Sequence, residues 1–237
     1  DPLRTFSWLI CETFDDRGNV IVYEYKREDS TGVDITKANE RNRNLIIHLR
    51  TANLYPKHIR YGNSVPYFPA SDAPTVAPPN HDNDWYFEVV FDYGEHDQTA
   101  PTPIGQSDWP VRDDPFSSYR SGFEVRTYRL CQRVLMFHHF LDQLKTGTNC
   151  LVHSTDLTYS FEESLVDSHK PIVSALLAVT HVGFKRTGPQ SYDRSPLPPV
   201  EFTYSEANIQ QKLHHLDPDS LANLPEGLDG SRYQWVD

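Results

Sequence analysis

Polar and apolar residues alternate along most of this chain with the two-residue period of a half-buried strand. The pattern is clearest over Trp85–Tyr93, where aromatic and aliphatic positions surround Glu88 and Asp92. It predicts a strand there and further strands over Thr5–Glu12, Val20–Glu28, His58–Asn63, Leu151–Phe161 and Pro199–Ser205. Asp15-Asp16-Arg17-Gly18-Asn19, between the first two runs, is a hairpin signal. Phe123–Phe140 reads as one long strand: Phe123, Val125, Thr127, Leu130 and Val134–Phe137 suit a half-buried surface, and Arg126, Arg129 and Arg133 suit the opposite, wet face. Ile172–Lys185 clusters its apolar residues like a helix at the front, but alternation over Val179–Phe184 favours a strand.

The connections are rich in proline. Pro66–His81 predicts an exposed loop, Gly94–Asp114 a polar loop and Gly188–Pro199 a third loop, with a turn over Asp142–Asn149. Val33–Leu49 is a short helical or irregular excursion, and Asn39, Asn42 and Asn44 weaken the helical alternative. Several strands share a pattern of aromatics at alternate positions, followed after a loop by a strand bearing basic residues, which suggests a degenerate strand–loop–strand repeat. An ordinary antiparallel β domain built from common strand residues fits the same pattern. The character changes after Ser205. Glu206–His215 is polar and plausibly helical, Asp217–Ser220 is a turn or helix start, and Tyr233–Asp237 begins a strand that stops, so the chain is expected to be a fragment. The predicted fold class is mainly β, with long antiparallel strands, proline-rich loops and little helix.

Composition supports strands over helices: 237 residues include 13 Tyr, 12 Phe, 4 Trp and 18 Pro. A net charge of −11 opposes contact with phosphate backbones, so nucleic acid is not an expected partner. No apolar stretch approaches a membrane span. No signal peptide is visible after Asp1-Pro2, which means nothing if that start is artificial. Cys11, Cys131 and Cys150 form no CxxC pair and no disulfide framework; Cys11 and Cys131 are expected to be buried thiols in strands.

Candidate chemistry is thin. Adjacent histidines such as His138-His139 point to opposite faces of a strand and cannot easily chelate one ion, and His214-His215 suits a solvated helix end. Asp15, Asp16, Asp113, Asp114, Asp217 and Asp219 make no calcium-loop pattern and suit turns. Ser117 and Ser118, beside Tyr119 and Arg120, lack a nucleophile motif. Any two of Glu12, Glu24, Glu88, Glu124 and Glu201 could face a cleft as a glycosidase pair, which only geometry decides. Trp85, Trp109, Tyr119 and Trp235 could stack on sugars, so a carbohydrate-binding or carbohydrate-processing β domain is the alternative function. No catalytic, cofactor-binding or metal-binding residue is assigned, and no cofactor is expected.

Four blocks are more specific: RTFSWLICETFDDRGNVIVYEYKRED, DWYFEVVFDYGEHD, DPFSSYRSGFEVRTYRLCQRVLMFHHF and LPEGLDGSRYQWVD. Over Arg4–Asp237 they resemble, in order, the SpvB/TcdB family, which includes the B component of bacterial insecticidal toxin complexes. The resemblance implies strands of an RHS-type hollow β-shell over residues 1–205, then a connector over 206–237 leading to a propeller-like region. It implies a structural, non-catalytic role in enclosing a cytotoxic segment. The implied partners are the C component of the complex and, through a propeller outside this chain, the pore-forming A component. It implies synthesis in the cytoplasm and release to the exterior. Some relatives carry an ADP-ribosyltransferase in a separate C-terminal domain; that chemistry needs a Glu-x-Glu pair, and no two glutamates here are two apart.

Overall fold

The computed structural model describes residues 5–41, 43, 51–69, 84–140, 149–160, 173–205, 215 and 217–222. Eleven strands run in chain order: β1 (Glu12–Phe14), β2 (Val20–Arg27), β3 (Leu54–Asn63), β4 (Trp85–Asp92), β5 (Phe116–Ser118), β6 (Val125–Thr127), β7 (Arg133–His138), β8 (Cys150–Tyr159), β9 (Leu176–Gly188), β10 (Ser191–Pro196) and β11 (Val200–Glu201). Nine form one antiparallel sheet in the order β1-β2-β3-β4-β7-β8-β9-β10, with β11 also on β9; β5 and β6 pair separately. The chain folds into two units, residues 1–165 with 172–204, and residues 166–171 with 205–237. The described part of the second includes one short helix, α1 (Pro218–Leu221), where a turn or helix start was expected.

The expected hairpin joins β1 and β2. Asp15 accepts the amides of Arg17 and Asn19, each at 2.9 Å, and the Asn19 side chain at 2.7 Å. Gly18 sits at φ +87°, and a Cβ there would lie 2.8 Å from Pro66 and Phe68, so the turn needs glycine for both conformation and space. The strand favoured by the alternation over Val179–Phe184 is present: β9 runs thirteen residues from Leu176 to Gly188, and Val173–Ala175 precede it without strand structure. Val33–Arg41 forms turns, the irregular alternative. The strand predicted at His58–Asn63 begins earlier, at Leu54. It tolerates Pro56 because a bulge interrupts its register with β2 and leaves Lys57 without a register partner there.

Several expectations fail. Thr5–Glu12 is not a strand; the ladder starts at Glu12, and Phe6, Trp8, Leu9 and Ile10 are exposed. Cys11, expected buried, is therefore exposed. Gly188–Pro199 is not a loop: β9 turns back into β10, and the chain then follows the outer edge of β9 through Leu197 and Phe202, whose amides donate to His181 and Leu177 at 2.8 Å. The strand predicted over Pro199–Ser205 shortens to β11, so this last segment is an edge ribbon rather than a full strand.

Phe123–Phe140 divides into β6 and β7, and its arginines point inward. In β7 the buried positions are Arg133, Leu135 and Phe137, while Val134, Met136 and His138 are only half-buried. Arg126, Arg129 and Arg133 are 3%, 2% and 7% exposed. Between the two strands the backbone bonds a side chain of β3 and a loop amide instead of forming a ladder. The Tyr128 amide donates to the Tyr55 hydroxyl at 3.0 Å, and the Tyr128 carbonyl accepts the Arg112 amide at 2.8 Å. Period-two alternation identifies two faces, but it does not say which one will be covered.

The cores follow from that choice. Val90, Leu135, Phe137 and Leu151, all fully buried, form one cluster across β4, β7 and β8, with Phe184 and Tyr192 packed against it. The Tyr192 hydroxyl reaches from β10 to accept the Leu151 amide at 3.3 Å. Tyr55, Tyr93 and Trp109 form a second cluster, with ring centroids 5.5–6.1 Å apart in edge-to-face pairs. Trp85, Tyr67 and Val20 form a third beneath the hairpin.

Candidate functional site

The described residues bury an unusual number of charges, and nearly all are paired across long sequence separations. Glu28, at the end of β2, receives the Arg129 guanidinium on both carboxylate oxygens. The same guanidinium donates to the Trp109 carbonyl at 2.6 Å and lies 4.2 Å from the Trp109 ring centre. Lys26 covers the ring at 3.8 Å, and the indole N–H donates to Asp29 at 2.9 Å. Trp109 is thus held on its edge by a carboxylate and on its faces by cations. Nearby, Glu40 accepts Arg126 at 2.9 Å and the Tyr128 hydroxyl at 2.8 Å.

A second group centres on Lys57, the residue released by the β3 bulge. Its ammonium donates to Glu95 Oε1 at 2.6 Å, the Phe91 carbonyl at 2.9 Å and His96 Nε2 at 2.7 Å, which uses all three of its hydrogens. His96 Nδ1 donates to the Thr102 carbonyl at 2.8 Å. One turn away in space, Arg133 closes on Asp92 at 2.6 Å and donates to the carbonyls of His96 and Asp97. Burial depresses the Lys57 pKa by more than Glu95 restores. Burial alone would raise Glu95, but the Lys57 hydrogen bond and charge outweigh it and its carboxyl falls below the ordinary value. Burial pushes the Cys131 thiol up to about 12, helped by Asp92, so this thiol is inert at neutral pH. Donor atoms of Asp92, Glu95 and His96 lie within 4.8 Å of one another. They are already spent on Lys57 and Arg133: two carboxylates meet two fixed cations, which makes a closed charge cluster rather than a ligand set.

A third group surrounds Glu88 on β4. Its carboxylate receives His58 Nδ1 at 2.8 Å and Arg60 Nε at 2.9 Å, and meets His139 Nε2 at 3.1 Å. His139 Nδ1 faces Asn149 Oδ1 at 2.9 Å, which ties the entrance of β8 to β4. Burial would raise the Glu88 carboxyl; the bonds from His139 and His58 and the charge of Arg60 hold it well below the usual range.

The sequence-derived candidates are placed as follows. Glu24 and Glu88 do come together, but through Arg60, which binds both and leaves no gap for a substrate. Glu124 binds Arg43 and accepts the Ser117 hydroxyl at 2.6 Å, with no histidine beside that serine. Glu12 lies at the hairpin and Glu201 on the exposed edge. Asp15 shapes the hairpin turn, and Asp114 anchors Arg112 and the Ser174 amide and hydroxyl ahead of β9. His138 stacks edge-on against Phe87 at 5.1 Å, on the other side of the strand from His139. His215, Asp217 and Asp219 are exposed in the second unit, and His214 and Trp235 lie outside the described residues. Trp85 and Trp109 are each only 2% exposed, so they are packing residues and not a sugar platform; Tyr119 is exposed. Glu28, Glu40, Lys57, Glu95 and His96, the inner partners, carry no sequence motif; the signal that existed was three arginines, Arg126, Arg129 and Arg133, within one half-apolar run.

The two described cavities are about 110 and 40 Å³. The larger is lined by Tyr93, Pro110–Asp113, Leu130 and Gln132, and neither gathers a nucleophile with a base. What these features define is a broad antiparallel sheet whose described buried charges are paired internally. The chain belongs to the SpvB family, whose model, the Salmonella virulence plasmid 65kDa B protein, matches residues 1–140. It is 34% identical over 201 residues to the mono(ADP-ribosyl)transferase SpvB of Salmonella typhimurium, a match covering 82% of this chain and 30% of that protein. The solved N-terminal domain of effector SpvB from S. typhimurium strain LT2 matches with TM-score 0.60 and 37% identity over 75% of this chain and 51% of that one. The crystal structure of TcdB2-TccC3-Cdc42 matches with TM-score 0.66 and 34% identity over 84% of this chain and 9% of that one. The Photorhabdus luminescens Tc holotoxin pore matches with TM-score 0.63 and 33% identity over 83% of this chain and 8% of that one. The chain therefore spans under a third of the curated relatives it matches and a small part of the toxin-complex chains, and it is similar in fold to toxin-complex components.

Proposed function

We propose that this chain is a non-catalytic wall segment of a toxin-complex B component, one run of strands in a shell that encloses a cytotoxic cargo. The observation that carries the reading is the likeness to the TcdB2-TccC3-Cdc42 structure over 84% of the chain at 34% identity, joined to a sheet that, among the described residues, ends at β1 and at β10–β11. Free edges invite further strands from outside the chain. Residues 206–237 would then serve as a connector toward a propeller-like region. The partners would be a C component completing the shell and a pore-forming A component, with release from the producing cell. The internal spending of charge supports a passive role, because no described carboxylate, histidine or serine is left in catalytic geometry.

The test is to express the full-length protein that contains this chain with its C component and image the product by cryo-electron microscopy. A hollow particle with this sheet in its wall is the expected result. A compact globule with no enclosed volume would overturn the reading. A second reading, supported by the SpvB matches, makes the chain the N-terminal domain of an effector whose transferase lies further along. ADP-ribosylation by the full-length protein, with no shell formed, would favour it.

A further inference from the structure

The strongest unabsorbed feature is His96. It is 3% exposed, it lies in the Gly94–Asp114 loop, and both its ring nitrogens have fixed partners. Lys57 donates to Nε2, and Nδ1 donates to the Thr102 carbonyl. An ammonium has no lone pair, so Nε2 must be the acceptor and the ring must be neutral with its hydrogen on Nδ1. A proton added at Nε2 would set an imidazolium N–H against an ammonium N–H across 2.7 Å, with no oxygen between them.

The first half of the loop, as far as Ser107, is tied down at this contact, whereas Trp109 holds the second half in its own cluster. His96 and Glu95 are its buried anchors on Lys57. The far side returns to the same place, as the Gln106 and Ser107 amides donate to the Glu95 carbonyl at 2.8 and 3.0 Å. Gly94 opens the loop at φ +104°, where a Cβ would strike Pro110 and Gln132. Beyond the anchors, Asp97, Gln98 and Thr99 are exposed.

We propose that the His96–Lys57 contact is an acid-released latch that holds the Gly94–Ser107 part of the loop against β3 at neutral pH and lets it lift when His96 takes a proton. The groups facing His96 are Lys57 on β3, Asp92 on β4, Glu95 and Asp97 in the loop, Arg133 on β7, and Lys26 on β2, which is 3.9 Å from Glu95. The two cations nearest the ring are fixed, and the carboxylates of Asp92 and Glu95 are each already engaged by one of them. Burial and then the Lys57 charge depress the His96 pKa below 6.5, outweighing Asp92 and Glu95. The sign follows: the neutral ring is favoured in the closed loop, so latch stability is complete above the unfolded value of 6.5 and is lost as pH falls toward the folded value.

Hydrogen exchange of the full chain, corrected for the intrinsic pH dependence of exchange, tests this. Between about pH 7.5 and about pH 5, amides of Gly94–Ser107 should lose protection by about tenfold, with a ceiling near thirtyfold set by proton linkage to a histidine of ordinary pKa. Amides of β4 and β7 should change far less. His96→Gln offers Lys57 an amide oxygen that does not titrate, and its loop protection should be flat to within about twofold over the same range. Equal loosening in His96→Gln, or none in the wild type, would overturn the proposal. Should the variant fail to fold, the His96 ring resonance of the wild type decides. A titration midpoint below those of the exposed His153 and His181 supports the latch, and one at or above them refutes it.

Discussion

The two faces of the central strands carry opposite burdens. On one face, β4 and β7 present Glu88, Val90, Asp92, Arg133, Leu135 and Phe137, all buried. On the other, β3, β4 and β7 present Ile59, Tyr61, Phe87, Val89, Phe91, Val134, Met136 and His138, all only half-buried and without a carboxylate, lysine or arginine among them. The more polar face is thus the more deeply covered one. Hydropathy alone would bury the second face and wet the first. What reverses the order is the set of loops over the first face, which bring counter-charges and carbonyls: His96 and Asp97 for Arg133, His139 for Glu88. A charge costs little to bury when its partner and its remaining hydrogen bonds arrive with it, and a great deal when they do not. The half-buried face has the composition of a surface that another layer or an enclosed chain could meet, which accords with the wall reading.

The sharpest way to break this contrast is to remove one charge from the covered face. Arg133→Met should destabilise the chain by about 3–5 kcal/mol, because it strands the fully buried Asp92; the urea midpoint measures it. Leu135→Ala, an apolar loss in the same stripe, should cost about 2–5 kcal/mol through the cavity it opens. A smaller effect comes from pH. The Glu88 carboxyl is held below its ordinary value of 4.5, so its contribution is whole above that value and lost as pH falls through the lowered one. The urea midpoint of Glu88→Gln should therefore change less with pH below about 4.5 than that of the wild type. Substituting the open face, for example Val89→Thr, should cost no more than about 1 kcal/mol, because the position is only half-buried here. Arg194→Ala should fall within about 0.5 kcal/mol, because its bond to Asp156 lies at a surface where water screens the pair. If the open-face change instead cost as much as Leu135→Ala in the full-length protein, that face would be covered there.

The strands themselves were legible: Trp85–Tyr93 and Leu151–Phe161 shift by only a residue or two, and the Asp15–Asn19 hairpin stands as read. The inward arginines were not legible because their partners lie far along the chain. Arg129 and Glu28 are separated by 101 positions, and Arg126 and Glu40 by 86. Nothing local to Arg129 distinguishes a solvated guanidinium from one enclosed by Glu28 and Trp109. The Gly94–Asp114 loop is polar, as its composition indicates, but two of its polar residues, Glu95 and His96, are buried.

Alternation of side chains, turn chemistry and the absence of helix-favouring runs are properties of a few neighbouring residues, so the amino-acid order determined that this protein is a series of antiparallel strands joined by stiff loops. Which face of those strands is covered, where β7 begins, and that Lys57 meets a neutral His96 were decided only by tertiary structure. Those outcomes depend on desolvation and pairing between groups tens of residues apart, and the energy of a charge is set by what surrounds it rather than by what precedes it.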